Sequence, residues 1–204
     1  MRNIHRIFIA VNPQPKIRQQ LFAATDAWRE LPIRWTKPED IHVTLHFIGK
    51  VDDDTLSRIA EILPLAAQGV EQFEITLNRI GIGPEKGRAR MVWAEGETPR
   101  ELTQLRQQVQ EAVESRPHVL ENVGVSDDDT EQLSVNGRLP SVQPFRLHVT
   151  LGRMVPFRWT RLAEKPRIER DINISFPVSS IELMESESGQ DGSSYTILSS
   201  VDLL

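Results

Sequence analysis

The tetrapeptide His-Val-Thr-Leu occurs twice in this chain, at His42 to Leu45 and again at His148 to Leu151. Its residue types favour extended backbone, and side chains at i and i+2 of a strand share a face. His42 and Thr44 therefore point one way, while Val43, Leu45 and Phe47 point the other way, toward a core. The second copy repeats the division, with His148 and Thr150 on one face and Val149 and Leu151 on the other. A lone His-x-Thr carries almost no information, because a single histidine in a strand is usually a satisfied structural residue. Two copies inside the same inward apolar pattern demand two strands that each present an imidazole beside a hydroxyl.

The surroundings predict how those strands are housed. Arg6 to Val11 reads as a first strand stopped at Asn12-Pro13, and Pro15 to Leu31 carries apolar residues at helical spacing. Ile33-Arg34-Trp35 reads as a short strand. Strand Ile41 to Ile48 follows, closed by Gly49, and Asp52-Asp53-Asp54 reads as the acidic start of a helix that runs to Gly69. A hairpin from Phe73 to Ala94, a helix from Pro99 to Ser115 and three late strands, Ile172–Val178, Ser180–Glu187 and Tyr195–Asp202, complete the pattern. Residues 156–170 read as irregular. Frequent hairpins without strict βαβ alternation indicate an α+β fold with antiparallel sheets. The distant repeat suggests a duplicated lobe. The expectation is one bilobal domain over residues 1–204, with an acidic loop at about 117–144.

The chemistry suits the residue types. Opening a cyclic phosphodiester with water needs one group to accept a proton from the nucleophile and another to donate one to the leaving alkoxide. Histidine, with an ordinary pKa near 6.5, offers both forms at neutral pH, and a positioned acid or base contributes ~10²–10⁴-fold. The hydroxyls of Thr44 and Thr150 suit the non-bridging phosphate oxygens. This scheme calls for no metal and no cofactor.

Net charge is -5 and the chain contains no cysteine, which excludes disulfides and a thiolate nucleophile. The acidic balance argues against coating long nucleic acid while leaving room for a local phosphate pocket. No stretch approaches transmembrane length, so a cytoplasmic monomer without membrane contact is expected.

The chain resembles the two-histidine (2H) phosphoesterase superfamily, and within it the RNA 2′,3′-cyclic phosphodiesterases, also called 2′-5′ RNA ligase-like proteins. Arg6-Ile7-Phe8-Ile9-Ala10-Val11, Arg34-Trp35 with the segment Glu39 to Gly49, Val92-Trp93, Phe145-x-x-His148-Val149-Thr150-Leu151-Gly152-Arg153 and a closing strand pair with Tyr195 carry the likeness. The resemblance implies two antiparallel sheets flanked by helices around a central cleft. It also implies hydrolysis of RNA ends or nucleotides bearing a 2′,3′-cyclic phosphate, with His42 as proton donor and His148 as acceptor; the near-symmetric motifs alone do not assign those roles. Two departures stand out: Leu147 replaces the family's usual proline before the second histidine, and about Asn122 to Gln143 looks inserted. The same residues would also serve a 2′-5′ RNA ligase or another cyclic or 2′-5′ nucleotide phosphodiesterase. A non-catalytic nucleotide-binding module is the alternative of another class.

Further substrate-binding candidates are Arg153, Phe47 and Tyr195. Arg153 stands at an odd offset from His148, so it reaches the same face only across a strand end or bulge. Phe47 and Tyr195 can stack on a base, although core packing is the stronger reading of Phe47. His46 shares the face of His42 in a regular strand and suits a cleft edge or solvent. His5 reads as a surface residue.

Overall fold

The computed structural model describes residues 3–84, 90–115, 145–189 and 192–204. The expected acidic insertion at about 117–144 lies outside the described residues, as do parts of the turns after Gly83 and Gly189. The described strands are β1 (Ile4–Val11), β2 (Ile33–Trp35), β3 (Val43–Asp52), β4 (Phe73–Gly83), β5 (Met91–Glu95), β6 (His148–Met154), β7 (Arg170–Val178), β8 (Ser180–Gly189) and β9 (Gly192–Asp202). Helices α1 (Pro15–Ala23), α2 (Asp53–Ala67) and α3 (Arg100–Glu114) lie between them.

Two antiparallel sheets result, in the orders β3-β1-β8-β9 and β2-β6-β5-β4-β7. Apart from the added edge strand β2, the second order repeats the first: the motif strand, its partner, then two further strands. The sheets are not consecutive halves of the chain. The first draws β8 and β9 from the C-terminal region, while β2 crosses from the N-terminal region to the second. The two motif strands, β3 and β6, come together where the sheets adjoin.

The core lies on the sheet faces that point away from the motif side chains. Asp52 caps α2, its Oδ1 accepting the Thr55 N–H at 3.0 Å. Helix α2 buries Ile59, Ile62, Leu63, Ala66 and Ala67 against all four strands of the first sheet. Leu102, Leu105, Val109 and Val113 form the buried stripe of α3, which packs on α2 and β3. Each of the buried Leu, Ile and Val side chains contributes about 1.5–3 kcal/mol by leaving water.

Three boundaries differ from expectation. The first helix ends at Ala23 and is followed by a 3-10 turn at Asp26–Trp28. There the Thr25 hydroxyl donates to the Phe22 carbonyl at 2.7 Å, offering the backbone a partner that competes with a continued helix. Strand β3 does not stop at Gly49 but passes through it with φ 102°, a left-handed conformation that glycine accepts. Within the stretch read as irregular, Pro156–Thr160 forms a helical turn started by its proline.

Candidate active site

His42 and His148 are held in the same way. His42 Nδ1 donates to the Asp40 carbonyl at 2.8 Å, and His148 Nδ1 donates to the Arg146 carbonyl at 3.0 Å. A carbonyl only accepts, so each bond places the proton on Nδ1 and leaves the Nε2 lone pair free for chemistry. At His42 that lone pair meets the Thr44 hydroxyl, with Nε2 and Oγ1 3.1 Å apart.

Both motifs also carry the same irregularity. Thr44 pairs with Ala10 and His46 with Ile9, so Leu45 is an extra residue; Thr150 pairs with Trp93 and Gly152 with Val92, so Leu151 is another. An extra residue reverses the side-chain parity beyond it. In the second sheet this turns Arg153 to the face of His148, the condition under which it could join the site. In the first it moves two residues from their expected places. Phe47 turns from the core to the cleft wall, pairing with Phe8, and His46 turns inward opposite the buried Ile9. Burial, with the nearby Arg106 charge adding to it, lowers the pKa of His46 to about 4.

The first wall is aromatic. Phe8, only 2% exposed, lies 4.9 Å from the His42 ring centroid, and Tyr195 lies 4.9 Å from it on another side. Phe8 and Tyr195 meet edge to face at 5.3 Å, and Arg6 stands over the Phe47 ring at 4.9 Å. Asp40 ties the wall together: while its carbonyl orients His42, its buried carboxylate accepts the Tyr195 backbone N–H at 3.2 Å. On the second wall Trp93 packs on His148 at 4.2 Å. It lies where a side chain on Gly83 would be, since a Cβ there would meet the indole at 2.2 Å.

Burial drives the pKa of His42 down to about 4; the Asp40 carbonyl resists, and the charges of His148 and Arg153 add to the fall. His148 is lowered as well, first by burial, with the Arg146 carbonyl and Glu95 opposing and the Arg146 and Arg153 charges assisting. Burial thus disposes each imidazole to the neutral form at pH 7. An incoming phosphate reverses part of that, because an anion favours the imidazolium.

The structure brings together His42, Thr44, Phe47, Tyr195, His148, Thr150 and Arg153. Sequence reasoning missed Phe8, Asp40 and Trp93. Alternation within Ile7-Phe8-Ile9 already placed Phe8 opposite its apolar neighbours. Asp40 orients His42 through its backbone carbonyl, which leaves no residue-type signal, and its carboxylate meets Tyr195 only through a long-range contact. Among the described residues no group of three His, Asp or Glu side chains is arranged to hold a metal ion.

Several known proteins are similar to this chain. Residues 11–93 match the family model of LigT-like phosphoesterases. The RNA 2′,3′-cyclic phosphodiesterase of Aeropyrum pernix is 31% identical over 171 residues, 82% of this chain and 85% of that protein. The crystal structure of TT0787 of Thermus thermophilus superposes with a TM-score of 0.73 at 24% identity, covering 97% of each chain. Escherichia coli LigT complexed with 3′-AMP superposes with a TM-score of 0.69 at 21% identity, covering 98% of this chain and 99% of that one. The chain belongs to the LigT-like phosphoesterases of the two-histidine superfamily.

Proposed function

We propose that this protein hydrolyses the 2′,3′-cyclic phosphate at RNA ends to a 2′-phosphomonoester, without a metal, by proton transfer between substrate and the pair His42 and His148. One observation carries the reading: both imidazoles have Nδ1 occupied by the carbonyl two residues earlier, which leaves two Nε2 atoms as the reacting nitrogens. The activity assigned to the Aeropyrum relative is of the same class.

In this mechanism the cyclic phosphate sits between the imidazoles, its non-bridging oxygens meeting the hydroxyls of Thr44 and Thr150 and the Arg153 guanidinium. His148 Nε2 takes a proton from water as the oxygen bonds to phosphorus. The P–O3′ bond breaks, and the His42 imidazolium gives its Nε2 proton to O3′, leaving the phosphate on O2′. His42 thereby becomes neutral and His148 protonated, and exchange with solvent restores both. The low proton affinity of His42 suits a donor, because it releases its proton readily once phosphate has brought the charged form into being. Phe47 and Tyr195, packed against the buried Phe8, offer a surface for the terminal base.

The test is incubation of RNA ending in a 2′,3′-cyclic phosphate with the protein in EDTA, followed by identification of the hydroxyl that keeps the phosphate. A 2′-phosphate is expected. A 3′-phosphate product, or loss of activity on chelation, overturns the scheme.

A further inference from the structure

The two motifs are nearly identical, but what stands across the ladder from each histidine is not. In the second sheet Glu95 pairs with His148 and Arg79 with Glu95, a row of three on the cleft face. Directly opposed residues have Cβ atoms about 4.5–5.5 Å apart. The Glu95 carboxylate is gripped from two sides, Oε1 lying 3.7 Å from Arg79 Nη1 and Oε2 lying 3.6 Å from Arg146 Nη2. Behind it Arg79 reaches Glu169 at 3.4 Å. In the first sheet Ala10 pairs with Thr44 and Val11 with Val43, where the ladder ends one residue short of His42; the chain leaves β1 there through Asn12. Asn12 is neutral, and its backbone and side-chain N–H groups donate to Glu182 Oε2 at 3.2 and 3.4 Å. One imidazole therefore has a braced carboxylate as its ladder partner, and the other stands beyond the last pair of its ladder.

We propose that Glu95 is a positioning residue that makes His148 the stronger proton acceptor of the pair, its charge held across the ladder by Arg79 and Arg146. This rests on the reading of His148 as the acceptor. The groups around that imidazole are Glu95 from β5, Arg153 from its own strand, Arg146 from the segment leading into it, and His42 across the cleft. Burial and the two arginines press the proton off His148, and Glu95 is the carboxylate that opposes them. A base with too little proton affinity transfers poorly, so an opposing carboxylate serves an acceptor and would hinder a donor. That difference separates two motifs whose sequences are alike.

The test is an NMR titration of both imidazoles in wild type, Glu95→Gln and Arg79→Gln, with kcat/KM measured against pH on a 2′,3′-cyclic nucleotide. In Glu95→Gln the His148 titration should move to lower pH while that of His42 stays. The acid limb of the rate profile should follow, and the plateau should fall roughly three- to tenfold, a fraction of the ~10²–10⁴-fold a general base supplies. Arg79→Gln frees the Glu95 charge and should move His148 the opposite way, a reversal that a merely structural role does not produce. Unchanged titrations, or equal shifts at both histidines, overturn the proposal. Movement of the alkaline limb instead supports the action of Glu95 on His148 and overturns the acceptor assignment. If wild type turns over no cyclic phosphate, the proposed function fails, and the titrations still decide the role of Glu95.

Discussion

Replacing Gly152 with alanine probes how the second motif is anchored. A Cβ at this position would lie 2.6 Å from Ile33 Cγ2, 2.9 Å from the Trp35 ring and 3.2 Å from the Arg34 carbonyl. Carbon atoms rest at about 3.5–4.0 Å, so β2 must retreat by roughly 1 Å. That strand is a short edge held by three residue pairs, Ile33 to Met154, Arg34 to Arg153 and Trp35 to Gly152, with a backbone bond at either end from Thr36 N–H to the Leu151 carbonyl and from Val155 N–H to the Pro32 carbonyl. Overpacking of this kind costs about 1–3 kcal/mol, which in a chain of this size lowers Tm by roughly 2–12 °C. Activity should suffer more. Gly152 adjoins the bulge at Leu151 and separates Thr150 from Arg153, and a 1 Å misplacement can cost ~10²-fold in rate. Gly69→Ala is the control: its φ of +75° strains alanine, yet nothing lies within 4 Å of the added carbon. It should lose about 1–2 kcal/mol and keep full turnover. Urea melts and turnover of a cyclic-phosphate oligonucleotide measure both variants. A Gly152→Ala protein as stable and as active as wild type refutes the reasoning.

Three other outcomes follow from the structure. Phe47→Ala should raise KM with a stability loss below that of a core Phe→Ala, about 3–5 kcal/mol, because Phe47 sits on the cleft wall; steady-state kinetics beside urea melts show this. Asp52→Ala should cost about 1 kcal/mol through loss of the α2 cap, without changing kcat. His5 bonds Asp53 at 2.9 Å and Glu185 at 2.7 Å, and these partners raise its pKa, that of Asp53 first. Its contribution is therefore complete below the unfolded value near 6.5 and disappears as pH rises through the higher folded value. The stability gap between wild type and His5→Gln should be widest near pH 5–6 and close in alkaline buffer, as denaturation across pH reads out.

Much of the fold was legible because it followed from local pattern. Period-two alternation located the motif strands, the late strands and the α+β class, and the Asp52 cap marked the start of α2. The motifs named His42, Thr44, His148 and Thr150, which the structure gathers in one cleft. What stayed hidden was mostly set by pairing. A bulge is a relation between two strands, so nothing within Thr44-Leu45-His46-Phe47 announced that Leu45 would be the extra residue. Strict alternation therefore put Phe47 and His46 on the wrong sides and left Arg153 conditional. The exchange of β2, β8 and β9 between sheets is likewise a long-range choice that local propensity does not encode. Glu95 gained its meaning only from its register opposite His148.

The most direct test of the paired-histidine account is single and double replacement, His42→Ala and His148→Ala, assayed on RNA with a 2′,3′-cyclic end after circular dichroism confirms folding. Each single variant should lose at least ~10²-fold in kcat, and the double variant little more than the worse single one, since the two groups act as a unit. Undiminished hydrolysis by the folded double variant would contradict the account.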